Sequence, residues 1–337
     1  MTRKKKYKKM KKYKRVYLNK ERNVFLSPYI VTKKETPCIL LMPGGAYGNC
    51  EESESRPAAE FFNNLGYNCF VLCYSVGKHY KWPYPLEDYE QAVTFLKNNK
   101  EYYHIDTEHL AVIGFSAGGH LSSAAATLSK QKPFAAAICY GVTDYDTLKF
   151  CAPDAPETWK AVDADTCPCF LAYSRNDWIV PSHNAHKFMD ALEENFIDYE
   201  AHIYGYSMHG FGVGQEAGTP RFCACCGDWA NEFVHWFSDL ISGTYTRIRE
   251  NCDYVDTHSE VMSSGNSCAV IYSNKEAERI IRKHFPIWYL AYRFVKKSKP
   301  DYIATASMRN IMQLLKCNPD TIKKMDEELS VFPVKIL

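Results

Sequence analysis

Nothing in these 337 residues approaches the ~20 consecutive apolar residues that a membrane-spanning helix requires. The longest apolar runs, such as Cys38-Ile39-Leu40-Leu41-Met42, have the length of a buried strand. The basic start does not read as a secretory signal. The start is charged, but no apolar stretch of roughly 7–15 residues and no small-residue cleavage site follow it. Without an export signal, the 14 scattered cysteines read as reduced, mostly buried thiols of a cytoplasmic protein. Cys223, Cys225 and Cys226 crowd together, but no second ligand pair follows at zinc-finger spacing, so no metal site is expected there. No internal repeat is present, and no G-K-S/T follows any glycine pair, which excludes a phosphate loop.

What is present suits a globular chain. The hydrophobic fraction is 46%, and the length allows one large core, or one core plus a smaller attachment. A net charge of +2 conceals an asymmetry. Residues 1–22 hold 12 Lys/Arg and one acid, Glu21, whereas the remainder holds 29 basic and 38 acidic residues. Like charges repel, so residues 1–22 are expected to be a disordered basic tail. Such a tail suits contact with nucleic acid or an anionic surface, or serves only as a solvated arm.

Strand and helix signals alternate between residues 38 and 241. Strands are expected at 38–42, 68–74, 110–115, 135–140, 169–173 and 200–204, and helices at 57–65, 86–98, 117–128 and 183–194. Trp229, Phe233, Trp236 and Phe237 fall at i, i+4, i+7 and i+8, a stripe that suits a helix packed on a sheet. The alternation implies an α/β fold with a mostly parallel sheet covered on both faces. Chemistry in such sheets sits at the carboxyl ends of the strands. Residues 23–244 are expected to form this domain. The segment 245–337 breaks the rhythm and reads as a helical extension of unknown role. Ser273 with Glu276 resembles a capping box, Pro286 is expected to interrupt the helix that follows, and Asn318-Pro319 opens a last helix to about residue 329.

Gly114-Phe115-Ser116-Ala117-Gly118 fits G-x-S-x-G between an apolar strand and a small-residue helix, the context a nucleophile elbow requires. A serine hydroxyl needs a base to take its proton. In this chain order an acid and then a histidine follow the serine. Asp177 lies four residues past the strand 169–173, and His209 lies in a glycine-flanked loop after the strand 200–204. Both are therefore expected on the same sheet edge as Ser116. His202, His183, His186 and Asp144 are weaker rivals by position. Asp163 and Asp165 precede their strand and fall at the wrong end of the sheet, and His120 is expected to be packed or hydrogen-bonded. Pro43-Gly44-Gly45-Ala46-Tyr47 follows the first of these strands and offers backbone N–H groups. The oxyanion hole is assigned to the N–H of Ala46 or Gly45 together with that of Ala117.

Taken together, Met42-Pro43-Gly44-Gly45-Ala46-Tyr47, Gly114 to His120, Asn176-Asp177 with Val180-Pro181, and His209-Gly210-Phe211 resemble the α/β-hydrolase esterases that include acetylxylan esterases and xylanase B-like carbohydrate esterases. Tyr74, Pro85 and Asp88 also fit. The resemblance covers about residues 38–241. It implies an α/β-hydrolase fold, a triad of Ser116, Asp177 and His209, and an acyl-enzyme mechanism without metal or organic cofactor. Ala46 stands where a third glycine of the hole is usual. Short inter-strand segments leave no room for a large lid and favour short acyl groups, on a small-molecule or oligosaccharide ester. Tyr47, Trp82 and Trp178 are the aromatic candidates for substrate contact. Two other classes remain open at this point: a serine peptidase of the dipeptidyl-peptidase type, and a non-catalytic hydrolase-fold binding protein.

Overall fold

Ile39, Leu40, Leu41 and Met42 have no exposed surface, and neither do Ala111, Val112 and Ile113. Continuous apolar runs of this kind are stable only inside a sheet buried on both faces. The computed structural model describes residues 13–245 except 196, and 259–334 except 288, 291 and 294–306. The chain divides at Ile241/Ser242 into two compact units.

The first unit carries an eight-stranded sheet. Its strands are β1 (Val16–Asn19), β2 (Val24–Tyr29), β3 (Thr36–Met42), β4 (Asn68–Cys73), β5 (Ile105–Phe115), β6 (Ala135–Cys139), β7 (Cys169–Ser174) and β8 (Tyr199–Tyr204). Their spatial order is β1-β2-β4-β3-β5-β6-β7-β8. From β4 to β8 all neighbours are parallel, and β1 and β2 add an antiparallel edge.

That edge corrects the expected boundary of the basic tail. Residues 13–22 are part of the fold, because Val16 and Leu18 pack against the core and β2 pairs with β4. Arg22 closes the hairpin and donates to Asp88, which is fully buried, at 2.5 Å. Residues 1–12 and 251–258 lie outside the described residues.

The principal helices are α1 (Arg56–Asn64), α2 (Tyr84–Asn98), α3 (Lys100–Tyr103), α4 (Ala117–Thr127), α5 (Tyr145–Leu148), α6 (His183–Glu194) and α7 (Trp229–Ile241). Alternate strand residues face opposite layers. On one face Leu40, Val112, Ile138 and Leu171 pack with Val93, Leu121 and Phe188 of α2, α4 and α6. On the other, Phe115 and Phe170 meet Trp229, and Phe62 of α1 meets Phe233 of α7. Each such aromatic ring removes enough apolar surface from water to stabilise the fold by roughly 1.5–3 kcal/mol. The Ala/Ser sequence of α4 allows close approach, and Gly119 lies against Gly141. The buried Ser122 hydroxyl is satisfied by the Ala137 carbonyl at 2.9 Å.

The second unit is helical, with short helices at Cys268–Tyr272, Lys275–His284, Met308–Leu314 and Pro319–Leu329. Its core is built on Ile271, Ile281, Met308, Met312, Met325 and Leu329. The expected capping box shifts by one residue. Asn274 is the cap, accepting from the N–H of Glu276 and Ala277, and Ser273 closes the preceding helix. The helix after Asn274 ends at His284, ahead of Pro286. Asn318 caps the last helix with Pro319 in its first turn. Among the described residues, no helix is long and apolar enough to cross a membrane.

Candidate active site

The carboxyl ends of β3, β5, β7 and β8 each release a loop that bears on one place. Ser116 follows β5 directly and caps α4, with φ +53° and ψ −116°. A non-glycine residue there is strained, and the strain lifts its side chain clear of both strand and helix. The flanking glycines are sterically required. A Cβ on Gly114 would fall 1.9 Å from the Gly118 carbonyl oxygen, and one on Gly118 would fall 1.9 Å from the Met42 carbonyl oxygen. The N-terminus of α4 then points its positive end at the serine.

His209 Nε2 stands 2.9 Å from Ser116 Oγ, and His209 Nδ1 stands 2.6 Å from Asp177 Oδ2. Asp177 is buried, and its Oδ1 accepts the N–H groups of Ile179 and Val180, each at 2.9 Å. An ionised carboxylate has no proton to give, so Nδ1–H of His209 donates to it. That tautomer leaves Nε2 free to accept the Ser116 hydroxyl proton. The loop before His209 is pinned where the Ser207 N–H donates to Ser174 Oγ at 2.9 Å and to Asn176 Oδ1 at 2.7 Å. Tyr140 lies edge-on to the imidazole, with ring centroids 5.0 Å apart.

The rival residues point elsewhere. Asp144 caps α5 and pairs with Lys187 and His183. His202 bonds Glu200 at 2.9 Å and stacks on Phe170. His186 is exposed on α6, and Asp163 is held by Lys132 and Thr166. His120 is fully buried. Its Nε2–H donates to the Pro156 carbonyl at 2.9 Å and its Nδ1 accepts the Tyr47 hydroxyl at 2.6 Å. Burial pushes its pKa down to about 4, offset in part by the Pro156 carbonyl.

After β3 the chain turns through three residues of positive φ: Gly45 at +119°, Ala46 at +51° and Tyr47 at +58°. Such a turn persists only when it is held from outside. Tyr74 donates to the Pro43 carbonyl at 2.5 Å, the Gly77 N–H to the Tyr47 carbonyl at 2.8 Å, and the Gly48 N–H to the Gly45 carbonyl at 2.8 Å. Among the described residues, no protein group accepts the N–H of Gly45, Ala46 or Ala117.

Of the three aromatic candidates for substrate contact, Tyr47 is corrected. It is only 2% exposed, because the positive φ turns its ring inward onto Tyr74, Tyr80 and His120. Trp82 is half-buried and packs edge-on against His120, 5.3 Å between centroids. Trp178, next to Asp177, is 71% exposed. The sulfur atoms of Cys223 and Cys225 are 3.7 Å apart while Cys226 is buried, and among the described residues no group of three or more His, Cys, Asp or Glu is arranged to hold a metal ion. Sequence reasoning missed Glu54, which is buried behind the β3 loop, and Tyr140. A charged residue in the polar run Glu51–Glu54 carries no local signal that it will be buried.

Residues 26–152 match the BD-FAE family. The chain is 30% identical to MGS-M1, an α/β-hydrolase enzyme from a Medee basin deep-sea metagenome library, with a TM-score of 0.64; the match covers 69% of this chain and 98% of that one. It is 28% identical to an acetyl ester-xyloside bifunctional hydrolase from Caldicellulosiruptor lactoaceticus, covering 64% of this chain and 88% of that one, with a TM-score of 0.57. Among curated relatives, it is 30% identical to endo-1,4-beta-xylanase B of Butyrivibrio fibrisolvens over 53% of this chain and 33% of that protein. It is 26% identical to an acetylxylan esterase of Xylanibacter ruminicola over 52% of this chain and 41% of that protein. The matched stretch thus spans less than half the length of these two curated relatives.

Proposed function

The chain belongs to the α/β-hydrolase family, and on that premise we propose that it is a serine carboxylic-ester hydrolase acting on short, acetyl-like acyl groups, with carbohydrate esters as its substrates. One observation carries the reading: the hydrogen-bonded run from Ser116 through His209 to Asp177 lies beside backbone N–H groups that, among the described residues, no protein group accepts.

In the proposed reaction the Ser116 oxygen attacks the ester carbonyl carbon as His209 Nε2 takes its proton. Asp177 holds the imidazole tautomer and stabilises the imidazolium. The N–H groups of Ala46 or Gly45, together with Ala117, receive the oxyanion, and one such donor is worth about 3–4 kcal/mol in the transition state. The leaving alcohol takes the proton from His209, and the acyl group stays on Ser116. Water, deprotonated by His209, then attacks the acyl carbon; the bond to Ser116 Oγ breaks, His209 returns the proton to that oxygen, and the acid is released. Nothing in this sequence calls for a metal or an organic cofactor.

The carbohydrate alcohol is favoured by the xylan-linked names of two relatives and by the exposed indole of Trp178 beside Asp177. The test is turnover of p-nitrophenyl acetate and labelling by a fluorophosphonate probe, in wild type and in Ser116→Ala. The wild type is expected to do both and the variant neither. Full turnover by the variant refutes the reading.

A further inference from the structure

Behind the β3 loop, one buried carboxyl group joins two loops that ester cleavage needs in register. Glu54 ends the turn Glu52–Glu54 and is 5% exposed. Its Oε2 accepts the Gly44 N–H at 2.7 Å, and its Oε1 accepts the Tyr140 hydroxyl at 2.7 Å. The Tyr140 oxygen in turn accepts the Gly212 N–H at 3.0 Å, three residues past His209. The Gly212 carbonyl is held by Trp229 Nε1–H at 2.8 Å. Tyr140 also packs on Phe211, 4.6 Å between ring centroids. Gly44 is in close contact with Ser116: a Cβ there would lie 2.8 Å from Ser116 Cβ and 2.8 Å from Glu54 Oε2.

Both Glu54 oxygens are occupied by these donors, so the group has no direct part in moving the ester's proton. Burying a carboxyl group is costly, and desolvation holds its pKa above the ordinary range. A leucine of similar volume would avoid that cost but could not link the loops. Resting on the ester-cleaving reading of Ser116 and His209, we propose that Glu54 is a positioning residue. Through Gly44 on one side, and through Tyr140 and Gly212 on the other, it sets the spacing between the oxyanion donors and the histidine.

The isosteric Glu54→Gln separates this role from packing. A carboxylate accepts at both oxygens, whereas an amide accepts at one end and donates at the other. The Gly44 N–H can only donate, so it takes the amide oxygen. The amide N–H then faces a Tyr140 oxygen that already accepts from Gly212, and the Tyr140 proton loses its acceptor. The bond from the Tyr140 hydroxyl to residue 54 is lost with the volume kept.

The experiment measures kcat and KM for p-nitrophenyl acetate, with melting temperatures, in wild type, Ser116→Ala, Glu54→Gln, Tyr140→Phe and the double variant. Glu54→Gln is expected to lower kcat about 10²-fold with KM within about twofold, the scale of a slightly misplaced site. Tyr140→Phe, which cuts the same link and also removes the acceptor of the Gly212 N–H, is expected to lower kcat by a similar factor. The double variant is expected to match Glu54→Gln alone, because residues of one network do not act additively. Three results would overturn the proposal: a Glu54→Gln kcat within about threefold of wild type, losses that multiply in the double variant, or a loss carried wholly by KM. If Glu54→Gln does not fold, Tyr140→Phe decides alone, and an unchanged kcat sinks the proposal. A wild type that Ser116→Ala leaves fully active would instead sink the ester reading itself.

Discussion

Lowering the pH from 7.5 to 5 tests the pocket that His120 occupies. The imidazole has no exposed surface, and its pKa is pushed down to about 4 by burial. In the unfolded chain the same group titrates at its ordinary value of about 6.5. Below that value the unfolded chain takes up a proton that the folded protein refuses, so stability is full above about pH 6.5 and falls as the pH drops. The slope approaches 1.4 kcal/mol per pH unit, which gives a loss of about 2 kcal/mol at pH 5 and about 3 kcal/mol near pH 4. For a unit of this size, 2 kcal/mol corresponds to roughly 4–8 °C in melting temperature. Every other ionisable group is common to the two proteins compared, so the measurement is a difference. His120→Gln keeps an acceptor for the Tyr47 hydroxyl and a donor for the Pro156 carbonyl but cannot titrate. Thermal melts of both proteins at pH 7.5 and 5 are expected to show the wild type losing those extra degrees. Parallel losses in the two proteins would refute the assignment of a buried, neutral imidazole.

Asp177→Asn removes the acceptor of the His209 Nδ1–H and should lower kcat for p-nitrophenyl acetate about 10⁴-fold with little change in melting temperature; a loss under tenfold would mean that Asp177 does not orient the base. Arg22→Ala leaves the Asp88 carboxylate buried without its cation and should cost about 3 kcal/mol in chemical denaturation, whereas an unchanged midpoint would show that β1 and β2 are not tied to α2 through this pair. Trp178→Ala, at a largely exposed position, should leave the melting temperature and p-nitrophenyl acetate kinetics unchanged. It should raise KM for acetylated xylo-oligosaccharides roughly threefold to tenfold, the worth of one stacking contact, and a variant KM for those oligosaccharides equal to the wild type's would remove Trp178 from the alcohol site.

Local signals carried much of the architecture. The apolar runs at 38–42, 110–115, 135–140 and 169–173 were legible because a strand buried on both faces must be apolar at every position. Residues 13–29 were not legible as strands. The charge run suggested repulsion, yet Val16 and Leu18 gain their packing from a hairpin whose partner, β4, lies some 45 residues away. Pairing of that kind leaves no periodicity in a short, half-polar segment.

The sequence by itself determined which residue types stand at the strand ends, and in what chain order, because glycine spacing and strand length are local properties. Only the tertiary structure decided which of those groups meet. The 2.9 Å and 2.6 Å contacts of His209, the inward turn of Tyr47 and the burial of Glu54 depend on β3, β5, β6, β7 and β8 lying side by side in that order. Strand order and loop convergence arise from contacts between residues far apart in the chain, so no window of sequence contains them.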